Sequence, residues 1–420
     1  MKINPLFRKV WCARLISILG TGLTEFGFSV WVYYATGKVT PMAVTMLCAI
    51  LPSILVAPFS GLICDKYNRK KIIVIADSVA AVTSIVMLIY ITVFEFNFGI
   101  ICFFILVSST ANTFDTNAYQ SAITTLVDKS ELKTANGLNQ LIDSINTIVS
   151  PIVAGILYSL IGLKGIIIVD LMSYSISMII FLQIDRNKFT SSNIQVVKEK
   201  EKELWKGFQF IFTQKSLLLL LVYFTILNFL FNISTALIEP FSLSVGSTIS
   251  LGFIKACGGI GILCGGLFAS FYKFKQETYK IICIGILWEG IAVLLMGSTN
   301  VIFLIGGGRL LFSLVIPVTN TIAGTLWLEK TPQELQGRVY AARAMIAKLL
   351  IPVSYLLVGP LVDRLIPNLI DRRSILIIRK ILGMNAIQYR IVFLVIGVLV
   401  IILTLGINSS KTFRKLDDTV

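Results

Sequence analysis

Glu25, Asp115 and Asp143 stand inside long apolar runs of this sequence. An ionisable group at bilayer depth costs about 2.5–3.5 kcal/mol or more, so it marks a cavity, a pathway or an interhelical pair. Glu25 falls near the middle of the first run. A carboxyl in a partly dry cavity can exchange protons near neutral pH; the competing reading is a structural pair with an arginine of a neighbouring helix. Asn139, Asp143, Asn146 and Ser150 are spaced four, three and four residues apart, which puts them on one helical face. A polar stripe on an apolar helix is expected to face a cavity, although Asp143 lies close enough to one end for a solvated or latch role. Asp115, beside Asn112, Thr116 and Asn117, is either a third proton-exchanging carboxylate or the cap of a broken helix.

The second half repeats the theme with a different balance. Asn228, Asn232 and Glu239 share about one face, and Glu239 precedes Pro240, where solvation at an interface is the alternative. Lys255, Arg309, Arg343 and Lys348 add cations, so a cavity drawn from both halves is acidic on one side and basic on the other. Glu289 and Asp77 lie on runs that rank lower. Phe26, Trp31, Tyr33, Tyr119, Phe229, Phe231 and Trp327 can stack on a bulky apolar solute, though packing or a place at the headgroups is the more common role.

Several chemistries are excluded. The chain has no histidine, which removes His-ligated metals, Ser-His-Asp and Cys-His nucleophiles and imidazole switches. Its seven cysteines form no CxxC and fall in or beside apolar runs, as small hydrophobes do. There is no phosphate-binding GxxxxGK[ST] loop. No cofactor, metal site or nucleophile–base constellation is expected, and the chain does not read as an enzyme.

The elements that carry these residues are membrane helices. Of 420 residues 56% are hydrophobic and 14% charged, against about 25% charged in soluble domains; mean hydropathy is +0.85. A span needs about 20 apolar residues, and twelve are expected, at 14–36, 41–64, 72–94, 98–122, 138–161, 163–184, 216–240, 249–272, 279–298, 301–327, 338–363 and 389–408. The basic N-terminus resembles a signal peptide, but the following run is long, contains Glu25 and lacks an A-x-A site, so it reads as a retained first span. An even count puts both termini on one side. The loops on that side hold most of the basic residues, among them Arg8, Lys9, Lys66, Arg69, Lys70, Lys71 and the cluster from Arg186 to Lys215, which places the termini in the cytoplasm. The net charge of +15 is therefore read as loop and headgroup charge, not as a nucleic-acid surface. Residues 364–388 fight the assignment; they read as a short basic amphipathic helix on the outer interface.

The most polar stretch divides the chain. Residues 1–184 are expected to form one six-helix bundle, 185–215 a cytoplasmic linker, and 216–420 a second bundle. Within the linker Leu204, Trp205, Phe208, Ile211 and Phe212 share a face opposite Lys206 and Gln209, the pattern of an interfacial helix. The halves echo one another. Gly61-Leu-Ile-Cys-Asp-Lys-Tyr-Asn-Arg-Lys70 recurs weakly from Gly266 to Lys275, Glu131-Leu132 recurs as Glu334-Leu335, and Pro151 as Pro352. Each match is weak alone, but all fall about half a chain apart, as in two parallel repeats around an axis normal to the membrane.

The segment Gly61-x-x-x-Asp65-x-x-Asn68-Arg69-Lys70 resembles the loop motif between spans two and three of the major facilitator superfamily, with Asn68 where the family usually has Gly. The resemblance implies a conformational latch. Gly61 allows close helix contact, Asp65 faces the positive end of a helix, Arg69 and Lys70 pair with carboxylates, and Arg338 plays this part in the second half. Ala135-Asn-Gly-Leu-Asn-Gln140, Ser150-Pro151 with Gly155, Asp170, Trp205-Lys-Gly-Phe-Gln-Phe210, Pro317 and Gln336-Gly-Arg-Val339 resemble the drug-exporter branch that includes macrolide-efflux and enterobactin-exporting proteins. That branch implies an all-α membrane protein of twelve helices in two pseudo-symmetric six-helix bundles, with spans 1, 4, 7 and 10 along the path. It also implies export of an amphipathic small molecule, a drug or antibiotic, in exchange for protons. The expected setting is the cell membrane, and the expected partners are the solute, protons and the bilayer, with the chain acting as a monomer. A lipid flippase of the same fold and a non-transporting sensor are the alternatives. Ser108 stands where many proton-coupled exporters have Arg, and Ser150-Pro151 where they have Gly-Pro.

Overall fold

The computed structural model describes residues 4–128, 131–184, 200–272, 277–369, 386–414 and 416, without the side chains of 58, 65, 124, 133 and 200–204. Residues 185–199 of the expected linker and 370–385 of the basic segment 364–388 lie outside them. The chain divides into two compact units, Met1–Gln195 and Val196–Val420.

In the first unit α1 spans Pro5–Thr36, α2 Val39–Leu55, α3 Ala57–Lys66, α4 Arg69–Val93, α5 Phe98–Leu126 and α6 Leu132–Leu182. Helix α1 starts earlier than its apolar run, because the Asn4 side chain accepts from the Leu6 amide and Pro5 occupies the first turn, both favourable helix-starting features. The second span is broken at Val56 between α2 and α3; Pro52 and Pro58 each remove a backbone donor there. Spans five and six are one continuous helix except at Gly162, where φ is 64°, a left-handed value that glycine adopts without penalty.

In the second unit α7 covers Lys200–Thr213, α8 Lys215–Val245, α9 Thr248–Phe271, α10 Thr278–Ser298 and α11 Ile302–Lys330. Then follow α12 (Gln336–Lys348), α13 (Ile351–Pro360), a π-helical turn (Leu361–Leu365), α14 (Ile366–Leu369), α15 (Ile387–Asn408) and α16 (Lys411–Arg414). Among the described residues ten helices are long and apolar enough to cross a membrane. One of these contains both spans joined at Gly162, and the α2–α3 pair adds another, so ten plus one plus one gives the expected twelve.

The packing explains which residues face inward. In the first unit Phe7, Val10 and Ala13 of α1, Ile73 of α4, Ala122 and Ile123 of α5 and Phe181 of α6 form one buried cluster. On α4, Ile75, Val79, Val82, Val86, Ile89 and Val93 alternate at three and four residues and are 40–68% exposed. An unbroken apolar stripe of that kind suits lipid tails and not water. In the second unit α9 and α11 approach so closely that a Cβ at Gly265 would overlap the Leu314 carbonyl oxygen; only glycine fits there. Of the interfacial helix, Ile211 is buried while Trp205 and Phe212 are 65% and 61% exposed, so α7 docks by one edge and leaves its large aromatic residues outside.

Candidate functional site

The polar chemistry of the first unit gathers along α1. Arg14, three turns into that helix, forms a buried ion pair with Asp115 of α5. It also donates to Thr116 Oγ1 at 2.9 Å and holds its guanidinium carbon 5.2 Å from the centre of the Tyr119 ring. Tyr119 donates to Asn139 Oδ1 of α6 at 2.8 Å, which ties three helices through one arginine. Asp77 of α4 is 5% exposed, takes a long hydrogen bond from Ser177 Oγ at 3.4 Å, and lies in the field of Arg14, as does Asp143. Helix α5 runs unbroken through Asp115, so the cap reading fails: this carboxylate is an ion-pair partner.

About two and three turns further along α1 the chemistry changes from ionic to hydroxyl. Thr21 Oγ1 and Tyr174 Oη are 3.0 Å apart. Thr24 donates to Asp170 Oδ2 at 2.8 Å, and Ser173 donates to the other carboxylate oxygen at 3.3 Å. Asp170 is 1% exposed. Glu25, the next residue on α1, is exposed although its neighbours on either side are buried; it interacts electrostatically with Asp170 and Tyr174. Asn146 and Ser150 line the seam with α1: Ser150 donates to Asn146 Oδ1 at 2.6 Å and to the Leu19 carbonyl at 3.4 Å. Both side chains crowd Gly22. Asp143, on the same helix, is exposed, and Asn112 is half-buried.

In the second unit Glu239 is 6% exposed and paired with Lys255 of α9. It is not solvated at an interface, because α8 continues past Pro240 to Val245 and buries it. Asn228 donates to the Ala347 carbonyl at 3.2 Å, which joins α8 to α12, and Asn232 donates to the Asn228 carbonyl at 2.7 Å. Arg309 lies 5.3 Å from the centre of the Phe312 ring. Arg343 lies 5.3 Å from that of Trp327 and 5.8 Å from that of Tyr340. Of the aromatic residues flagged from sequence, Phe26, Tyr119 and Trp327 are buried as packing, and Trp31 stacks edge-on against Phe96 at 5.2 Å.

The expected latch has a different local role for one member. Lys70 donates to the Leu182 and Ile184 carbonyls at 3.2 and 2.5 Å, so it caps the end of α6 in its own unit and meets no carboxylate among the described residues. A cation belongs there because the last carbonyls of a helix carry partial negative charge. Arg69 is 7% exposed. No described atom lies within 4 Å of where a Gly61 Cβ would sit; the Asp65 side chain is outside the described set. Arg338 sits where α7 meets α12, its backbone pressed against Gly207.

Sequence reasoning missed Arg14, the hub of the first unit, and Tyr355, which lies close to both Glu239 and Arg309. The signal for Arg14 was present: a carboxylate as deep as Asp115 needs a cation, and Arg14 opens the first apolar run.

Comparison with known proteins agrees with this arrangement. The family model described as Major Facilitator Superfamily matches residues 10–355. Macrolide efflux protein A of Streptococcus pyogenes is 24% identical over 365 residues, covering 86% of this chain and 90% of that protein. Enterobactin exporter EntS of Shigella flexneri is 21% identical over 339 residues, covering 81% and 80%. Among solved structures, a bacterial homologue of the human lysosomal transporter Spinster superposes with a TM-score of 0.73 over 99% of this chain and 98% of that one, at 12% identity; that likeness speaks for the fold. Twelve spans, charged residues held at membrane depth and a family match over most of the length lead to one assignment: this chain is a multi-pass membrane transporter, not an enzyme, and belongs to the Major Facilitator Superfamily.

Proposed function

We propose that this protein is an efflux transporter that carries an amphipathic small molecule, a drug or antibiotic, out of the cell in exchange for protons by alternating access. The observation that carries the proton part is an imbalance in the first unit. Glu25, Asp77, Asp115, Asp143 and Asp170 lie on its spans; among the described residues Arg14 pairs with Asp115, whereas Asp170 is held by the hydroxyls of Thr24 and Ser173 and Asp77 by that of Ser177. Carboxyls at this depth without a cation must reach water or bind protons, and a group that does both in turn couples a proton to a change of state. A coupling ion drives transport only if it binds the two states with different affinity; protonating Glu25 or Asp143 removes a charge and supplies that difference. Export as the direction is supported by relatives named for macrolide efflux and enterobactin export.

The test is a susceptibility panel in an efflux-deficient bacterial host. Intact protein is expected to raise resistance to at least one amphipathic antibiotic, and Glu25→Gln or Asp143→Asn to abolish it at unchanged expression. Undiminished resistance in both variants would refute the coupling roles. Both termini are assigned to the cytoplasm from the basic loops; labelling of single cysteines placed at either end, from outside intact cells, would contradict that.

A further inference from the structure

Arg309, like Arg343, has no carboxylate in contact among the described residues of the second unit. Its Nε is buried without a hydrogen-bond partner among the described residues, while the residue as a whole is half-buried. A guanidinium carries five donors and no acceptor, and here it contacts the face of Phe312 instead of an oxygen. Phe312, over which it lies, stands one turn deeper on α11 and packs edge-on against Phe231 of α8 at 5.0 Å. A Cβ at Gly258 of α9 would lie 2.9 Å from Arg309 Nε and 3.4 Å from Ser313 Oγ, so the missing side chain makes room for both groups. Ser313 is fully buried and its hydroxyl is also without a partner. Tyr355 of α13 lies close by. Glu239, on the other side of Tyr355, is paired with Lys255. Arg309 thus keeps a charge with no carboxylate in contact among the described residues, and an unpaired charge in a bundle is costly until an anion meets it.

We infer that Arg309, with Ser313 and Tyr355 beside it and Gly258 giving it room, is an anion-recognition subsite that takes the carboxylate or phosphate group of an amphipathic molecule. Guanidinium pairs with either in a two-pronged, charge-assisted geometry, and the Phe231–Phe312 pair offers an apolar surface to the rest of the molecule. This deepens the export reading by naming the polar group of the cargo, and it rests on that reading only for calling the occupant a cargo. A phospholipid headgroup presents the same chemistry and is the second source.

The experiment uses the full chain purified in lipid-free detergent, titrated with dansyl-undecanoate and with its uncharged methyl ester. The acid is expected to bind about tenfold or more tightly than the ester, the scale of a charge-assisted bond. R309Q should erase that preference without weakening the ester, R309K should keep part of it, and K280Q, at an exposed surface pair, should keep all of it. Equal binding of acid and ester by the intact protein, or a preference that survives R309Q, overturns the inference; should R309Q fail to fold, a full preference in R309K combined with S313A does so. Repeating the titration in phosphatidylcholine nanodiscs with and without phosphatidylglycerol separates the sources: loss of acid binding when the anionic lipid is present assigns the site to a headgroup, and retained binding assigns it to a solute. Arg309-dependent binding in a protein that shows no proton-linked export would sink the export reading and leave the subsite standing.

Discussion

Two ion pairs held at membrane depth, Arg14–Asp115 in the first unit and Glu239–Lys255 in the second, are built differently. Arg14 and Asp115 have side chains only 9% and 6% exposed, and the arginine is further fixed by Thr116 and Tyr119. Glu239 is as buried, at 7%, but its partner Lys255 is 28% exposed. The first pair is a sealed brace between α1 and α5. In the second, the lysine keeps an outlet, and Arg309, one helix away, is a cation with no carboxylate in contact among the described residues. The contrast extends to the surroundings: the first unit has a surplus of carboxyls satisfied by Thr24, Ser173 and Ser177, the second a surplus of positive charge resting on aromatic rings. Carboxyls with hydroxyl partners can gain and lose a proton in place, whereas guanidinium stays charged and must be met by an anion. The two units are therefore suited to different passengers.

Breaking the sealed brace should have the largest effect. Arg14→Ala leaves Asp115 buried without a cation and is expected to lower stability in detergent by about 3–5 kcal/mol, with much of it restored in Arg14→Met/Asp115→Leu; denaturation midpoints measure both. Equal midpoints for Arg14→Ala and the intact chain would remove the brace. Glu239→Gln should cost less, about 1–3 kcal/mol, because Lys255 can turn toward its open side; a loss as large as that of Arg14→Ala would erase the distinction between the pairs. Thr24→Val removes a hydroxyl donor from Asp170 and is expected to cost about 1 kcal/mol, read in the same assay.

Smaller effects sharpen the comparison at the ends of the spans. Lys70→Ala removes the cation from the last carbonyls of α6 and should cost about 0.5–1 kcal/mol, less in high salt. Unaltered stability at low salt would show that those bonds contribute nothing. Smallest is the exposed pair of Glu277 with Lys280 at 2.9 Å, where the lysine holds the Glu277 carboxyl below its usual range. A depressed carboxyl contributes stability above its unfolded pKa and loses it as pH falls through the folded one. The difference between the intact chain and Glu277→Gln should thus be confined to neutral and higher pH, disappear on acidification and vanish in molar salt. A difference that persists in acid would contradict the pairing.

The spans were readable because apolar length is a one-dimensional property. Even the break at Gly162 falls where the expected spans 138–161 and 163–184 separate. The start of α1 was not, since the helix extends through the polar residues Arg8 and Lys9 under the control of its cap. The stripe Asn139–Ser150 was legible as a face, because helical spacing alone defines it. What each member touches was not: Asn139 meets Tyr119 and Ser150 meets the Leu19 carbonyl, contacts set by how α5 and α1 lie against α6. Lys70 shows the same limit. Its partners are two carbonyls at the end of a helix more than a hundred residues away, which no local pattern announces. Arg309 could be picked out as a charge at depth, but that it lacks a carboxylate is a property of packing.

The central claim is that export is driven by protons exchanged at carboxyls of the first unit. Everted membrane vesicles carrying the protein, energised and then given a transported amphipathic compound, measure it most directly. Compound-dependent release of protons by the intact protein, absent in Glu25→Gln/Asp143→Asn with the same amount of protein inserted, is the predicted result. Compound uptake that proceeds with no movement of protons, or at full rate in the double variant, would contradict it.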